Sequence, residues 1–470
     1  MTQLLQTQTE PRSSVTERLA AFCAELRADG IPDHVRDDAR WRVMDTVGVA
    51  LVGSRMDFSE SVRTVVRGMG GAEEATAFGM PDRIPAPHAA FVNAAAAHGP
   101  DYDDTHSVAM VHIGCLAVPA ALAMAERAGA NGAQMLTALV AGGEVGLRVA
   151  AAAPHRFHMR GYHATGVVGP FVAAAVTGSM LGIDSGRIAD ALGLAGSQAA
   201  GLLVGLHDGS WVKRLHPAWT VQAGITAGLL AEQGFRGPHR VLESSWGLYG
   251  VLLHGEADRV DPEDVVAELG ERWLLPATTY KPYSCGAWNH SSMDAVRSIM
   301  EAEGLRHGDI ARVEAQLPPE GIPVVCEPRQ AKINPATPYH MKFSLPYSTA
   351  ILAVRGHADI DDYGDDVLAD PEIRDLAARI ECAPDPAMSP EGFPARVILH
   401  TRDGRRFEKL VPAQRGGPGN PMTADDHRAK FRSNAEASLG TSRTAQVMEI
   451  IEGLWELDSI DRLTRLLVTG

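Results

Sequence analysis

The chain has 470 residues, 45% of them hydrophobic and 21% charged, too long for one ordinary core, so two domains are expected. Its net charge of −15 argues against a general nucleic-acid binder, which needs a basic surface, and means that an anionic substrate needs a local cluster of Lys, Arg and His. Five cysteines (Cys23, Cys115, Cys285, Cys326 and Cys382) form no CxxC or CxxH pair, which argues against a disulfide framework and against a zinc or cluster site, and fits a reduced cytoplasm.

Residues 1–14 lack the apolar core of a signal peptide and are expected to be disordered. An amphipathic helix follows from Val15. The next begins near Pro32-Asp33, carries Val35, Ala39, Val43 and Val47 at every fourth place, and runs to Gly53. A short helix is expected at about 59–67 and a small-residue helix at 88–97. Further helices are expected at about 115–128, 131–153, 167–182, 186–194 and 217–233, with Gly and Asn in the gaps. The apolar stretch 167–183 is broken by Gly169, Pro170, Thr177, Gly178 and Ser179, which reads as a buried helix and not a membrane span. No β period and no fixed repeat is visible in this half.

After Pro276 the character changes. One helix is expected at 287–302, a strand at 311–318, and a hairpin at 396–412 turning at Asp403-Gly404. From Thr423, a residue type that caps helix N-termini, the chain is expected to be helical again, with Val447, Ile450, Ile451, Leu454 and Leu457 on one face. The expected fold is mostly α with an inserted α+β domain: residues 1–275 and 413–470 form a large helical domain, and 276–412 a smaller lid.

The chemistry concentrates in His98–Gly114, which holds Asp101, Asp103, Asp104, Thr105, His106 and His112 between two Ala-rich helices. At least one of Asp103 and Asp104 is expected only to cap a helix. Read as Mg²⁺ ligands, the three aspartates would suit a terpene cyclase, but no second metal motif follows on a later helix. No Gly-rich nucleotide loop is present. Four further patches bring bases and cations: GYHAT with His163, VKRLHPAW with Lys213, Arg214 and His216, KPYSCGAWNH with Lys281 and His290, and MKFSLPYS with Lys342 and Tyr347. Each is weak alone; together they supply what binding an anion and moving a proton require.

These residues carry a resemblance. MDTVGVALVG (44–53), HGPDYDDTH (98–106), GYHATG (161–166), KRLHPAWTVQAG (213–224), KPYSCG (281–286), MKFSLPYS (341–348) and GGPGNPMTADDHRAKF (416–431) resemble the MmgE/PrpD family, the group with 2-methylcitrate dehydratase, cis-aconitate decarboxylase and iminodisuccinate epimerase. The resemblance implies a helical domain built from both chain ends, an α+β lid, a homodimer, and no metal or organic cofactor. It implies a pocket lined by Asp101, Thr105, His112, His163, Lys213, Lys281 and Tyr347. Two departures stand out. His112-Ile113-Gly114 replaces the family's usual His-Pro-Gly or His-Pro-Ser, and Gly286 stands where the decarboxylase branch has a histidine.

The expected partner is a small di- or tricarboxylic acid, with no nucleic acid and no membrane. Proton removal next to a carboxylate needs cations and donors to stabilise an enediolate. Lys213, Lys281 and His112 are expected to hold carboxylates, with Thr105, Arg214 and His216 lining the pocket. His163 is the first candidate acid/base and Lys213 the second. Asp101 is expected to orient a histidine or take the proton, and Tyr347 to donate from the lid. Dehydration, epimerisation and decarboxylation all start from this intermediate; dehydration ranks first as the broadest family expectation. A non-catalytic binding member is the reading from another class.

Overall fold

The computed structural model describes residues 13–469; the expectation of disorder at the N-terminus falls, through residue 12, outside the described residues. Ser14 caps the Val15–Glu25 helix in a reciprocal capping box with Glu17, and Val15, Leu19, Ala20 and Cys23 face inward. The Asp33–Gly53 helix buries Val35, Ala39, Val43 and Val47. Around it stand the helices Asp57–Met69, Ala86–His98, Gly114–Ala128, Gly132–Ala151, Ala164–Leu181, Ser185–Gly196 and Val212–Glu232. The Ala164–Leu181 helix is long and apolar enough to cross a membrane, yet 83% of that window is buried inside the protein. A two-residue antiparallel pair, Ala75–Thr76 with Arg83–Ile84, interrupts the helical half without any sequence signal.

The second unit is built on a four-stranded sheet. Ile310–Leu317 pairs in parallel with Ile380–Pro384 on one side and antiparallel with Ala395–Thr401 on the other, and the hairpin partner Arg406–Val411 closes the order. Along Ala395–Thr401 alternate residues are buried, as a half-covered strand requires. The Ala287–Glu303 helix packs on the sheet hairpin and on the Leu345–Arg355 helix. The 311–318 strand and the hairpin match expectation. The Leu345–Arg355 and Pro371–Ala378 helices and the parallel Ile380–Pro384 strand were not foreseen.

Two hydrophobic cores result. One takes residues from Val15 to Leu275 and resumes from Phe431 to Leu467; the other runs from Tyr283 to Val411. The returning helix, Ala424–Leu439, has a capping box between Thr423 and Asp426 and packs along Asp33–Gly53. The two chain crossings lie side by side. Thr105 and Thr279 exchange backbone hydrogen bonds of 2.8 and 3.0 Å, and Tyr280 N–H donates to Gly416 O at 2.9 Å. The Asp-rich loop therefore sits against the seam between the units.

Candidate active site

The Ala86–His98 helix ends by delivering His98, and Asp101 follows in the left-handed region (φ 57°), which turns its carboxylate back toward the helical core. Asp104 has a structural task. Its carboxylate accepts from the Gly114 N–H at 3.0 Å, at the start of the Gly114–Ala128 helix, and is paired with the fully buried Arg42. Position 114 must be glycine, because a Cβ there would lie 2.5 Å from Thr46 Oγ1 and 2.9 Å from Asp104 Oδ2. Burial pushes the Asp104 carboxyl up to about 6 in spite of Arg42. Lys430, from the returning helix, donates to Tyr102 O at 3.0 Å and ties the C-terminal segment to this loop.

Asp101 is the hub. Its Oδ1 accepts from Lys281 Nζ at 2.9 Å, and its Oδ2 from Lys213 Nζ and the Tyr339 hydroxyl, each at 3.3 Å. All four side chains come from different parts of the chain: the loop, the segment entering the second unit, the Val212–Glu232 helix and the Pro338–Lys342 turn. Burial alone would raise the Asp101 pKa, but Lys213 and Lys281 outweigh it and hold the carboxyl well below the usual range. Burial likewise opposes the Lys281 charge, and Asp101 with Asp103 reverses the effect, lifting Lys281 above the ordinary lysine value. Asp101 is thus a fixed anion between two ammonium groups. This corrects its expected role: orienting a histidine belongs to Asp103, and a carboxylate held this firmly is a poor proton acceptor.

Asp103 Oδ2 lies 2.7 Å from His98 Nδ1, and Lys213 Nζ lies 3.1 Å from His98 Nε2. With Lys213 as donor, His98 donates from Nδ1 to the carboxylate and accepts at Nε2. A carboxylate–imidazole–amine chain results. His112 Nδ1 donates to Asp104 O at 2.6 Å and approaches Thr105 Oγ1 at 3.2 Å. His163 caps the Ala164–Leu181 helix, stacks on His98 with centroids 5.3 Å apart, and leaves its buried Nε2 without a partner. Burial, reinforced by Lys213 and the neighbouring imidazoles, holds His163 well below the ordinary histidine range. His112 is lowered by burial even against the pull of Asp103. The pocket therefore presents neutral imidazoles beside charged lysines.

One nitrogen from each of His98, His112 and His163 lies within 4.8 Å of the others, a spacing that a metal ion can bridge. The ammonium group of Lys213 on His98 Nε2, with Lys281 close by, sets positive charge against that spot, so the donor set suits an anion better than a cation.

The structure brings Asp101, Thr105, His112, His163, Lys213 and Lys281 together, sets Arg214 and His216 at the edge of this group, and leaves Tyr347 outside. Tyr347 is buried in the second core, where its hydroxyl donates to Leu368 O at 2.8 Å and cannot reach the pocket. The tyrosine that reaches Asp101 is Tyr339, eight residues earlier and just ahead of the MKFSLPYS motif. The Arg214 guanidinium lies over the rings of Phe58 at 4.9 Å and Tyr339 at 4.8 Å, near enough to feel the Asp101 charge. His216 pairs with His163, the two Nδ1 atoms 3.0 Å apart. His290 is buried against Cys285 O at 3.2 Å. Lys342 clamps the seam through Pro100 O, Ser284 O and Ser284 Oγ, and burial brings it down to about 7. His98, Asp103 and Tyr339 are the residues that sequence reasoning did not assign. His98 and Asp103 were within the organising loop, but their spacing of five residues across a helix end gave no face to read.

A helical frame and an α+β unit thus meet over a buried lysine–imidazole pocket. The chain belongs to the MmgE/PrpD family: it matches the MmgE/PrpD N-terminal domain over residues 17–260 and the MmgE/PrpD C-terminal domain over residues 283–457. It is 26% identical to a cis-aconitate decarboxylase of Aspergillus terreus over 97% of this chain and 96% of that protein. It is 25% identical to the cis-aconitate decarboxylase of Homo sapiens over 97% and 94% of the respective chains. Against the 2-methylcitrate dehydratase of Escherichia coli (strain K12) it is 25% identical over 59% of each chain.

Proposed function

We propose that this protein is a cofactor-independent lyase acting next to a carboxylate of a small tricarboxylic acid, with decarboxylation of a cis-aconitate-type substrate as the leading reaction. The observation that carries the reading is the Asp101 hub. Two lysines and a tyrosine converge on one carboxylate in a pocket where His98, Asp101, His163 and Lys281 are each no more than 2% exposed. A substrate carboxylate uses the same donors, and the low-dielectric surroundings strengthen their hold on a developing enediolate. Decarboxylation moves ahead of dehydration because the likeness to the decarboxylases spans nearly the whole chain, whereas that to the dehydratase spans 59%.

In this reaction the bond from a carboxylate to its carbon breaks and CO₂ leaves. The electron pair forms a new C=C bond, the pair of the old double bond moves to the carbon beside a second carboxylate, and that carbon takes a proton. Lys213 and Lys281 neutralise the charge. Lys213 can pass a proton to His98, whose imidazolium is stabilised by Asp103; His163 faces the same space with an unpaired Nε2. With so little exposure, substrate entry requires Lys281 and Tyr339 to move with the second unit away from Asp101.

The test is proton NMR in D₂O with cis-aconitate, 2-methylcitrate and citrate. CO₂ release with one deuterium in the product from cis-aconitate is the expected result. New vinylic signals from 2-methylcitrate would move dehydration to first place, and no change in any of the three would remove the lyase reading. Lys213→Ala and His163→Ala are each expected to lower kcat by about 10²-fold.

A further inference from the structure

We propose that Arg214 holds the third carboxylate of the substrate and so sets a preference for tricarboxylic over dicarboxylic acids. The inference deepens the lyase reading and rests on it: that reading supplies the substrate class, and Arg214 supplies the reason for three carboxylates and not two.

The charges around the pocket leave room for another cation. Lys213 and Lys281 bring two positive charges, and Asp101 and Asp103 bring two negative ones. Asp104 is already matched by Arg42. The imidazoles stay neutral because burial opposes their charge. A tricarboxylate adds three negative charges to this buried and balanced set, which is costly unless a further cation meets them. Two candidates stand near. Lys342 has no carboxylate partner, but its ammonium already donates to Pro100 O, Ser284 O and Ser284 Oγ. Arg214 is different. It is only 9% exposed, and among the described residues its guanidinium has neither a hydrogen-bond nor an ion-pair partner.

The geometry fits a ligand there. Lys213 and Arg214 are neighbours in the first turn of the Val212–Glu232 helix, so their side chains leave it about 100° apart. Lys213 runs in to Asp101. Arg214 runs between the two units, over Phe58 at 4.9 Å and Trp211 at 5.7 Å on one unit and over Tyr339 at 4.8 Å on the other. The Tyr339 ring that carries Arg214 also sets its hydroxyl 3.3 Å from Asp101 Oδ2, so the guanidinium and the hub are one phenol apart. A guanidinium stacked on aromatic rings keeps the N–H donors of its edge free, in the fork that grips a carboxylate at two points. A substrate with one carboxylate at Lys213 and Lys281 thus offers its far carboxylate to Arg214.

The experiment needs no turnover. Propane-1,2,3-tricarboxylate and propane-1,2-dicarboxylate differ by one terminal carboxylate, and isothermal titration measures the binding of each. The parent is expected to bind the triacid about thirtyfold more tightly. Arg214→Met keeps the stacked volume without the charge; it should weaken the triacid by about thirtyfold and the diacid by less than about threefold. Arg214→Lys keeps the charge without the fork. It should weaken the triacid by about fivefold, and it serves as the test if the Met variant does not fold. A folded variant that keeps the parent's preference would overturn the assignment. So would one that loses both acids alike, because that is the mark of a structural role. A parent that binds the two acids equally would overturn it with the lyase reading intact. A parent that binds neither would remove the substrate class on which the assignment rests, so the two failures are distinct.

Discussion

Asp101 holds two buried ammonium groups and a phenol at once, which makes it the residue whose loss the site tolerates least. Asp101→Asn leaves Lys213 and Lys281 buried without a counter-ion. A cost of about 3–5 kcal/mol is expected, because breaking a buried pair strands the remaining charge. Urea unfolding measures the loss, and activity should fall with it; a variant as stable as the parent would show that the lysines do not need this anion. The two tyrosines make a sharper comparison. Tyr339→Phe removes the hydroxyl that reaches Asp101 and should lower kcat about tenfold in a folded protein. Tyr347→Phe removes only a bond to Leu368 O and should cost about 1 kcal/mol of stability with kcat within about twofold. Steady-state kinetics on the pair decides which tyrosine serves the site; the reverse ranking would reinstate Tyr347.

The helices that carry these residues depend on close approach. Gly224, on the Val212–Glu232 helix that carries Lys213, faces the Ala164–Leu181 helix, and a Cβ there would lie 2.3 Å from Pro170 O and 2.6 Å from Ala173 Cβ. Alanine is favoured over glycine in a helix by about 1 kcal/mol. Overpacking against a backbone oxygen costs about 1–3 kcal/mol and should win, so Gly224→Ala is expected to lower the urea midpoint. An unchanged or higher midpoint would mean that the two helices can separate freely. Pro119, Pro170 and Pro217 stand inside three of the packed helices, where each removes a backbone N–H. The Gly114–Ala128 and Ala164–Leu181 helices are buried nearly all round and Val212–Glu232 along a broad face, so tertiary packing overrides local propensity.

At the scale of the whole molecule, acid should unfold this protein early. His106, His158 and His427 are each pushed down to about 4, and His290 to about 3, in every case by burial first. As pH falls below about 6.5 the unfolded chain takes up these protons and the folded chain does not. The stability is therefore fully present above that pH and is lost progressively toward pH 4, at about 1.4 kcal/mol per unit for each group. Asp104, raised to about 6, and the carboxyls of Asp38, Glu126, Glu144, Asp294 and Asp359, also raised by burial, work in the opposite sense between their folded and unfolded values, while His98, His112, His155, His163 and His216 are lowered by burial too and add to the loss. Urea midpoints should be flat near pH 7.5 and fall steeply between pH 6 and 5, with His290→Gln reducing the slope. A midpoint that stays constant down to pH 5 would show that these histidines are hydrated.

Much of this architecture was legible in the chain. Helix periods, the Ser14 and Thr423 caps and the Asp403-Gly404 hairpin are local signals, set by residues within a few positions of one another, and they placed most elements to within a few residues. The loop from His98 to Gly114 and the cations of the later motifs were visible as chemistry, and the resemblance named the family. What only the tertiary structure decided is direction and partnership. Tyr339 reaches Asp101 while Tyr347 points away, because the Leu345–Arg355 helix turns that side chain into the second core. His98 joins the site because the end of its helix is set against Lys213, 115 residues away. Side-chain direction depends on packing between segments far apart in sequence, and that information appears only when the two cores have closed on the loop between them.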